Sequence, residues 1–151
     1  MLTLTAEQFA SKIKQHSAEI RGVFQHDLPI IIGKESVSFF KKTFQNESWE
    51  RKKWKEVKRR EVDWTRGADR TRKILTGRTG DLGRSLQYSP ESGSVTVHSD
   101  LIYAAVHNFG LKAGRGEGFM MPKRQFIGEN DELNKRIQEI IDKKIEQILS
   151  K

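Results

Sequence analysis

At 151 residues the chain has room for a single domain with a real core, but not comfortably for two. Hydrophobic residues make up 35% and charged residues 32%, and eight Phe with three Trp supply core material, which argues against wholesale disorder. The absence of cysteine excludes disulfides, thiolate zinc sites and cysteine nucleophiles, and the net charge of +8 calls for an acidic partner or a solvated basic surface.

No apolar run approaches the roughly 20 residues that span a bilayer; the longest, "LPIII" at 28–32, is far too short. The first residues, "MLTLTAEQFASKIK", lack the charged start and apolar middle of a signal peptide, so a cytoplasmic protein is expected. The charge is concentrated. Between Arg51 and Lys73 lie eleven Lys or Arg and four acids, so this stretch carries +7 of the +8.

In chain order, Thr5 with Gln8 forms a capping-box pattern that opens a helix, continued by Phe9, Ile13, Ile20 and Phe24 at roughly helical spacing. Asp27-Leu28-Pro29 then punctuates the chain: Asp27 reads as an N-cap and Pro29 as an early helical residue. A second helix follows with Ile30, Val37, Phe40 and Phe44 along one face, and "QNESW" stops it. From about residue 50 to 73 the chain is highly charged, with Trp54, Val57, Val62 and Trp64 too sparse to define an element, and a long irregular, mobile segment is expected.

Leu82, Leu86 and Tyr88 suggest a short helix leading into a strand, "ESGS" a turn, and "SVTVHS" an alternating strand. "LIYAAVHNFG" reads as a helix terminated by Gly110, with Tyr103, Ala104 and Phe109 expected in the core. "KAGRGEG" is a flexible loop and "FMMPKRQFIG" an extended stretch, with Pro122 confining it to an edge or a strand start. Asn130 or Asp131 caps a last helix bearing a strong stripe of Leu133, Ile137, Ile140, Ile141, Ile145 and Ile148. There is no internal repeat. The whole is an α+β single domain over residues 1–151: a small, mostly antiparallel sheet packed with N-terminal and C-terminal amphipathic helices.

The glycine-rich run "ILTGRTGDLGRSL" tests for phosphate chemistry. A P-loop needs four residues between its glycines and then Lys; here five separate Gly77 from Gly83, Arg84 stands where Lys should, and the dinucleotide spacing also fails. The simpler reading gives Gly77 and Gly80 positive-φ turns and makes Thr79 or Asp81 the cap of the helix bearing Leu82 and Leu86. His16, His26, His98 and His107 show no metal spacing, and His107, four residues after Tyr103, reads as a packed histidine. Asp81 and Asp100 suit cap roles. No nucleophile, base and orienter assemble into a catalytic set, so no enzymatic activity, cofactor or metal is expected.

The basic stretch, interleaved with Trp49, Trp54 and Trp64, has two readings. It neutralises phosphates and stacks bases, or it is a solvated loop that orders against an acidic protein partner. Its partner-interface candidates are Lys52, Lys53, Trp54, Arg59, Arg60 and Arg66.

The succession of "FFKKTFQNESW", the basic stretch, "ILTGRTGDLGRSL", "SVTVHS", "IYAAVHNFG" and "MPKRQFIG" before a last helix resembles the phage virion morphogenesis or tail-completion family, the group with the Mu-type G protein. The matching positions are Trp49; Leu75, Gly80, Leu82 and Ser85; Tyr103, Ala104, His107 and Gly110; and Arg124, Phe126, Ile127 and Gly128. The likeness covers roughly residues 39 to the end, and the segment 52–72 is more basic than the pattern leads one to expect.

The resemblance implies a structural, non-enzymatic assembly protein acting in tail completion and head–tail joining. It implies a homo-oligomeric ring, a hexamer among the candidate sizes, with other phage tail or connector proteins as partners and DNA contact secondary. It places the protein in the host bacterial cytoplasm during assembly and then in the virion, with no membrane. The alternative is a small basic nucleic-acid-binding protein using Arg51–Lys73.

Overall fold

The computed structural model describes residues 5–62 and 67–150. It is α+β, with helices towards both ends and three separate antiparallel hairpins between them.

Helix α1 (Ala6–Gly22) opens on the expected capping box: the Thr5 side chain accepts from the Gln8 amide, and the Gln8 side chain accepts from the Thr5 amide. The break expected at Asp27 does not occur. Asp27 is helical and its side chain caps nothing; a π-helical turn, Val23–Asp27, carries the chain from α1 into α2 (Leu28–Asn46). Proline explains how the junction is accommodated. Pro29 has no N–H to give to the carbonyl of Gln25 one turn earlier, and that oxygen instead accepts from the Gly93 amide at 3.2 Å, in the turn of a distant hairpin.

That hairpin pairs β3 (Gln87–Glu91) with β4 (Ser94–His98) about the expected "ESGS" turn, with Gly93 at φ 76°. It lies against α2, and Tyr88 packs its ring directly over Gly33, where a Cβ would overlap the aromatic atoms. The buried face of α2 therefore runs through small residues, Gly33, Ser36 and Thr43, together with Phe40 and Phe44, while Ile30 is exposed. The stripe of large apolar residues read from the sequence missed this, because close helix–hairpin approach selects small side chains.

Glu47 ends α2 in the left-handed region at φ 51°. Next come a hairpin of two-residue strands, β1 (Ser48–Trp49) and β2 (Lys52–Lys53), and the single-turn helices α3 (Lys58–Glu61) and α4 (Ala68–Thr71). Gly77 and Gly80 take the positive-φ turns expected of them, at 56° and 71°. The capping expectation is corrected: Gly80 itself is the N-cap of α5 (Asp81–Arg84), and Thr79 bonds to the Asp81 carboxylate, so neither side chain caps the helix.

Helix α6 (Ala104–Phe109) ends on Gly110 at φ 72°, where a Cβ would lie 2.9 Å from the Lys123 nitrogen. Only Ala104 of the three expected core residues is buried; Tyr103 and Phe109 are exposed. The short hairpin β5 (Lys112–Ala113) and β6 (Phe119–Met120) follows. Asn130 then caps α7 (Asp131–Leu149), its Oδ1 accepting from the Glu132 and Leu133 amides at 3.0 and 3.1 Å. The core joins Phe40 and Phe44 of α2 with Trp54, Ile74, Leu82, Leu86, Ala104, Phe126 and Leu133.

Candidate partner interface

The basic segment folds in two layers. The inner layer is organised by Glu47. Its main-chain oxygen accepts from the Trp54 amide at 2.8 Å, and its carboxylate accepts from the Ile74 amide at 2.6 Å and from Arg60 at 2.5 Å. The Arg60 hydrogen bond holds the Glu47 carboxyl below its ordinary value, against the opposing effect of burial. Arg60 also donates to the Arg72 carbonyl at 2.8 Å. Arg59 donates to the carbonyls of Asp69, Arg72 and Lys73. Trp54 is buried in the core and donates through Nε1 to the Gln125 carbonyl.

Three of the candidates expected to face a partner are thus turned inward: Trp54 because its indole is needed to fill the core, Arg59 and Arg60 because carbonyls left over from short helices need donors. The outer layer keeps Lys52 and Lys53 exposed, with Arg51, Lys55 and Lys58 beside them. Lys53 reaches back to the Asn46 carbonyl at 2.8 Å. Arg51, Lys52, Lys55 and Lys58 form no ion pair among the described residues. Arg66, and with it Trp64, lies outside the described residues.

The positions of the family pattern converge on a second feature, the strap Arg124–Gly128. Arg124 is buried and donates to the Lys55 and Glu56 carbonyls at 2.9 and 3.2 Å, and its own amide donates to the His107 carbonyl. Asn108 on α6 acts like a strand neighbour: Oδ1 accepts from the Phe126 and Ile127 amides at 2.9 and 3.0 Å, and Nδ2 donates to the Ile127 carbonyl at 3.1 Å. Phe126 is fully buried against Phe44. Gly128 passes close to Trp49, whose indole stacks on Phe40.

Leu82 is buried, Leu75 holds φ 62°, and Ser85 shares a hydrogen bond with Ser99. Tyr103 meets the His107 ring edge-on. Burial and the Arg124 charge push the His107 imidazole below its ordinary value, and its Nδ1 is buried without a partner among the described residues.

The arrangement uses its buried polar side chains to hold main chain. Asn108, Glu47 and Gln125 were not singled out from the sequence. Asn108 carried one weak signal, an amide next to His107 in a largely apolar helix; the other two carried none.

Beside Trp49, a groove of about 680 Å³ runs between the β1–β2 hairpin and the start of α7, with Phe39 under the Arg136 guanidinium. Among the described residues, no group of three or more His, Asp or Glu is placed to hold a metal, and no helix is long and apolar enough to cross a membrane.

The sequence model of the phage virion morphogenesis family matches residues 32–146. No curated protein and no solved structure matches the chain.

Proposed function

The chain belongs to the phage virion morphogenesis family, and from that premise we propose that it is a structural, non-enzymatic subunit that completes the tail and takes part in head–tail joining. A role in phage assembly comes with the family. The finer reading has it act as a homo-oligomeric ring, made in the host bacterial cytoplasm and retained in the virion, whose partners are other tail or connector proteins.

The observation that carries this reading is the division of labour within the basic segment. Arg59 and Arg60 are consumed internally, whereas Arg51, Lys52, Lys55 and Lys58 stand outside with no carboxylate partner among the described residues. Exposed cations of this kind contribute little to folding and act on association rate and register. The burial of Trp54 also removes one of the aromatic rings that base stacking would need.

The test is reconstitution of heads and tails with the triple variant Lys52→Ser, Lys55→Ser, Lys58→Ser. Joining should slow or fail while the melting temperature stays within a degree or two, and the defect should deepen at higher salt, where screening removes the remaining attraction. Normal joining by this variant would overturn the reading. The nucleic-acid alternative predicts instead that the wild-type protein binds duplex DNA with a log–log salt slope near about −5, as for about six neutralised phosphates.

A further inference from the structure

Among the described residues, two apolar surfaces stand out as uncovered. The first is on α1. It packs on α7, yet the residues it half-buries, His16, Glu19, Ile20 and Gly22, all lie towards its C-terminal end; the other half, Ala6–Gln15, is exposed throughout. Within that half Phe9 and Ile13, one turn apart, are 57% and 52% exposed. A capped helix of this length gains most of its stability from packing an apolar face, and nothing among the described residues covers this one.

The second surface is built by α6 and the β5–β6 hairpin. Ile102, Ala105 and Phe109 follow one another at helical spacing on the outer side, and Ile102 is 93% exposed. Leu111 continues from Phe109, and its carbonyl accepts from the Met121 amide at 3.0 Å, which sets β6 with Phe119 and Met120 alongside. Six large side chains, Ile102, Tyr103, Phe109, Leu111, Phe119 and Met120, remain between 40% and 93% exposed.

At roughly 200 Å² for a large apolar side chain, these exposures leave on the order of 700 Å² of apolar surface. That exceeds the patch a monomer ordinarily shows. It approaches the ~800 Å² that each partner contributes to a standard interface.

We propose that the α1 stripe of one copy docks on the α6/β5–β6 surface of a second copy. This rests on the reading of the chain as a self-assembling subunit, and it names the surfaces. One contact then covers the α1 stripe, about 220 Å² on the same scale, and the part of the larger surface that it meets. The two surfaces are different, so the contact is heterologous. Each copy keeps one free surface of each kind, and the series either closes into a ring or continues as a filament. Being apolar, the contact strengthens in sulfate, opposite to the salt response of the basic segment.

The experiment measures the mass of the full-length protein in solution across a concentration series. The wild type should associate beyond a dimer. The variants Phe9→Ser/Ile13→Ser and Phe109→Ser/Met120→Ser should each be monomeric, with association weakened at least about tenfold. An equimolar mixture of the two should give a one-to-one dimer, because each variant retains the surface the other lacks. The changes are at exposed positions, so melting should be preserved; the single changes Phe9→Lys and Met120→Lys read the same contact independently.

Association that persists in either double variant, or a mixture that stays monomeric, overturns this contact and leaves self-assembly standing. A wild type that is monomeric at every concentration overturns both. In neither case is the head–tail joining result prejudged.

Discussion

The indole Nε1 of Trp54 donates a 2.9 Å hydrogen bond to the carbonyl oxygen of Gln125, 71 residues further along the chain. The same strap is held by Asn108 from α6 and, through Arg124, by the main chain at Lys55 and Glu56. The basic segment and the strap are therefore one structural unit, tied by bonds from side chain to main chain.

Replacing Trp54 with Phe should keep most of the packing and remove the bond to Gln125, at a cost of about 1–3 kcal/mol. Trp54→Ala should cost about 3–5 kcal/mol, since it also opens a cavity beside Phe44 and Phe126. Urea unfolding of both variants measures the difference. Equal stability of wild type and Trp54→Ala would show that the indole is not part of the core.

Asn108 serves two amides and one carbonyl at once. Asn108→Asp should retain the two acceptor bonds and lose the donor to Ile127, whereas Asn108→Leu leaves the Phe126 and Ile127 amides unpaired and the Ile127 carbonyl with only the 3.4 Å bond from the Gln125 side chain. The expected order of stability is wild type, then Asp, then Leu, with Leu lower by about 2–4 kcal/mol. Thermal unfolding above neutral pH decides the order.

Glu47 carries an acid-limb prediction. Its native pKa is depressed, chiefly by the Arg60 hydrogen bond, from an ordinary value of 4.5. The stability it contributes is present in full above that value and is lost as pH falls through the lower native one. Glu47→Gln should therefore be less stable than wild type at neutral pH, and the gap should narrow towards about pH 3. A pH-independent gap would mean that the carboxylate charge is irrelevant to the contact. Arg60→Ser, unlike changes at Lys52 or Lys55, should destabilise the fold.

His107 acts in the same direction over a higher window. Burial and Arg124 depress its native pKa below 6.5, so the unfolded chain takes up the proton more readily. Wild-type stability should fall as pH drops below about 6.5 and level off beneath the native value, and His107→Gln should flatten that step. Denaturant midpoints between about pH 7.5 and pH 5 test this; a step that survives in the variant would belong to another group.

Much of the local structure was legible in the order of residues. The Thr5 capping box, the Asn130 cap, the "ESGS" hairpin, the Gly77, Gly80 and Gly110 turns and the isoleucine stripe of α7 are decided within a few residues, and each was found where its signal stood. So was the α+β class, and the family was legible in four short segments in order. The Asp27 cap failed for a local reason with a distant resolution. A helix can pass through a proline when another donor takes the freed carbonyl, and that donor, Gly93, lies in the β3–β4 turn.

What composition and spacing determined, then, was the fold class, the long helices with their caps and the main turns; the short elements of the basic segment, and which side chains face inward, were decided by tertiary structure. Eleven cations between Arg51 and Lys73 look alike in one dimension. Only the placement of Glu47 and of the carbonyls at 69 and 72 draws Arg59 and Arg60 inside and leaves Lys52 out. Tyr103 and Phe109 are as apolar as core residues and are exposed, while Gly33 and Ser36 are buried. A helix specifies its stripe, but the element packed against it selects the face, because burial is a property of two surfaces and a sequence segment describes only one.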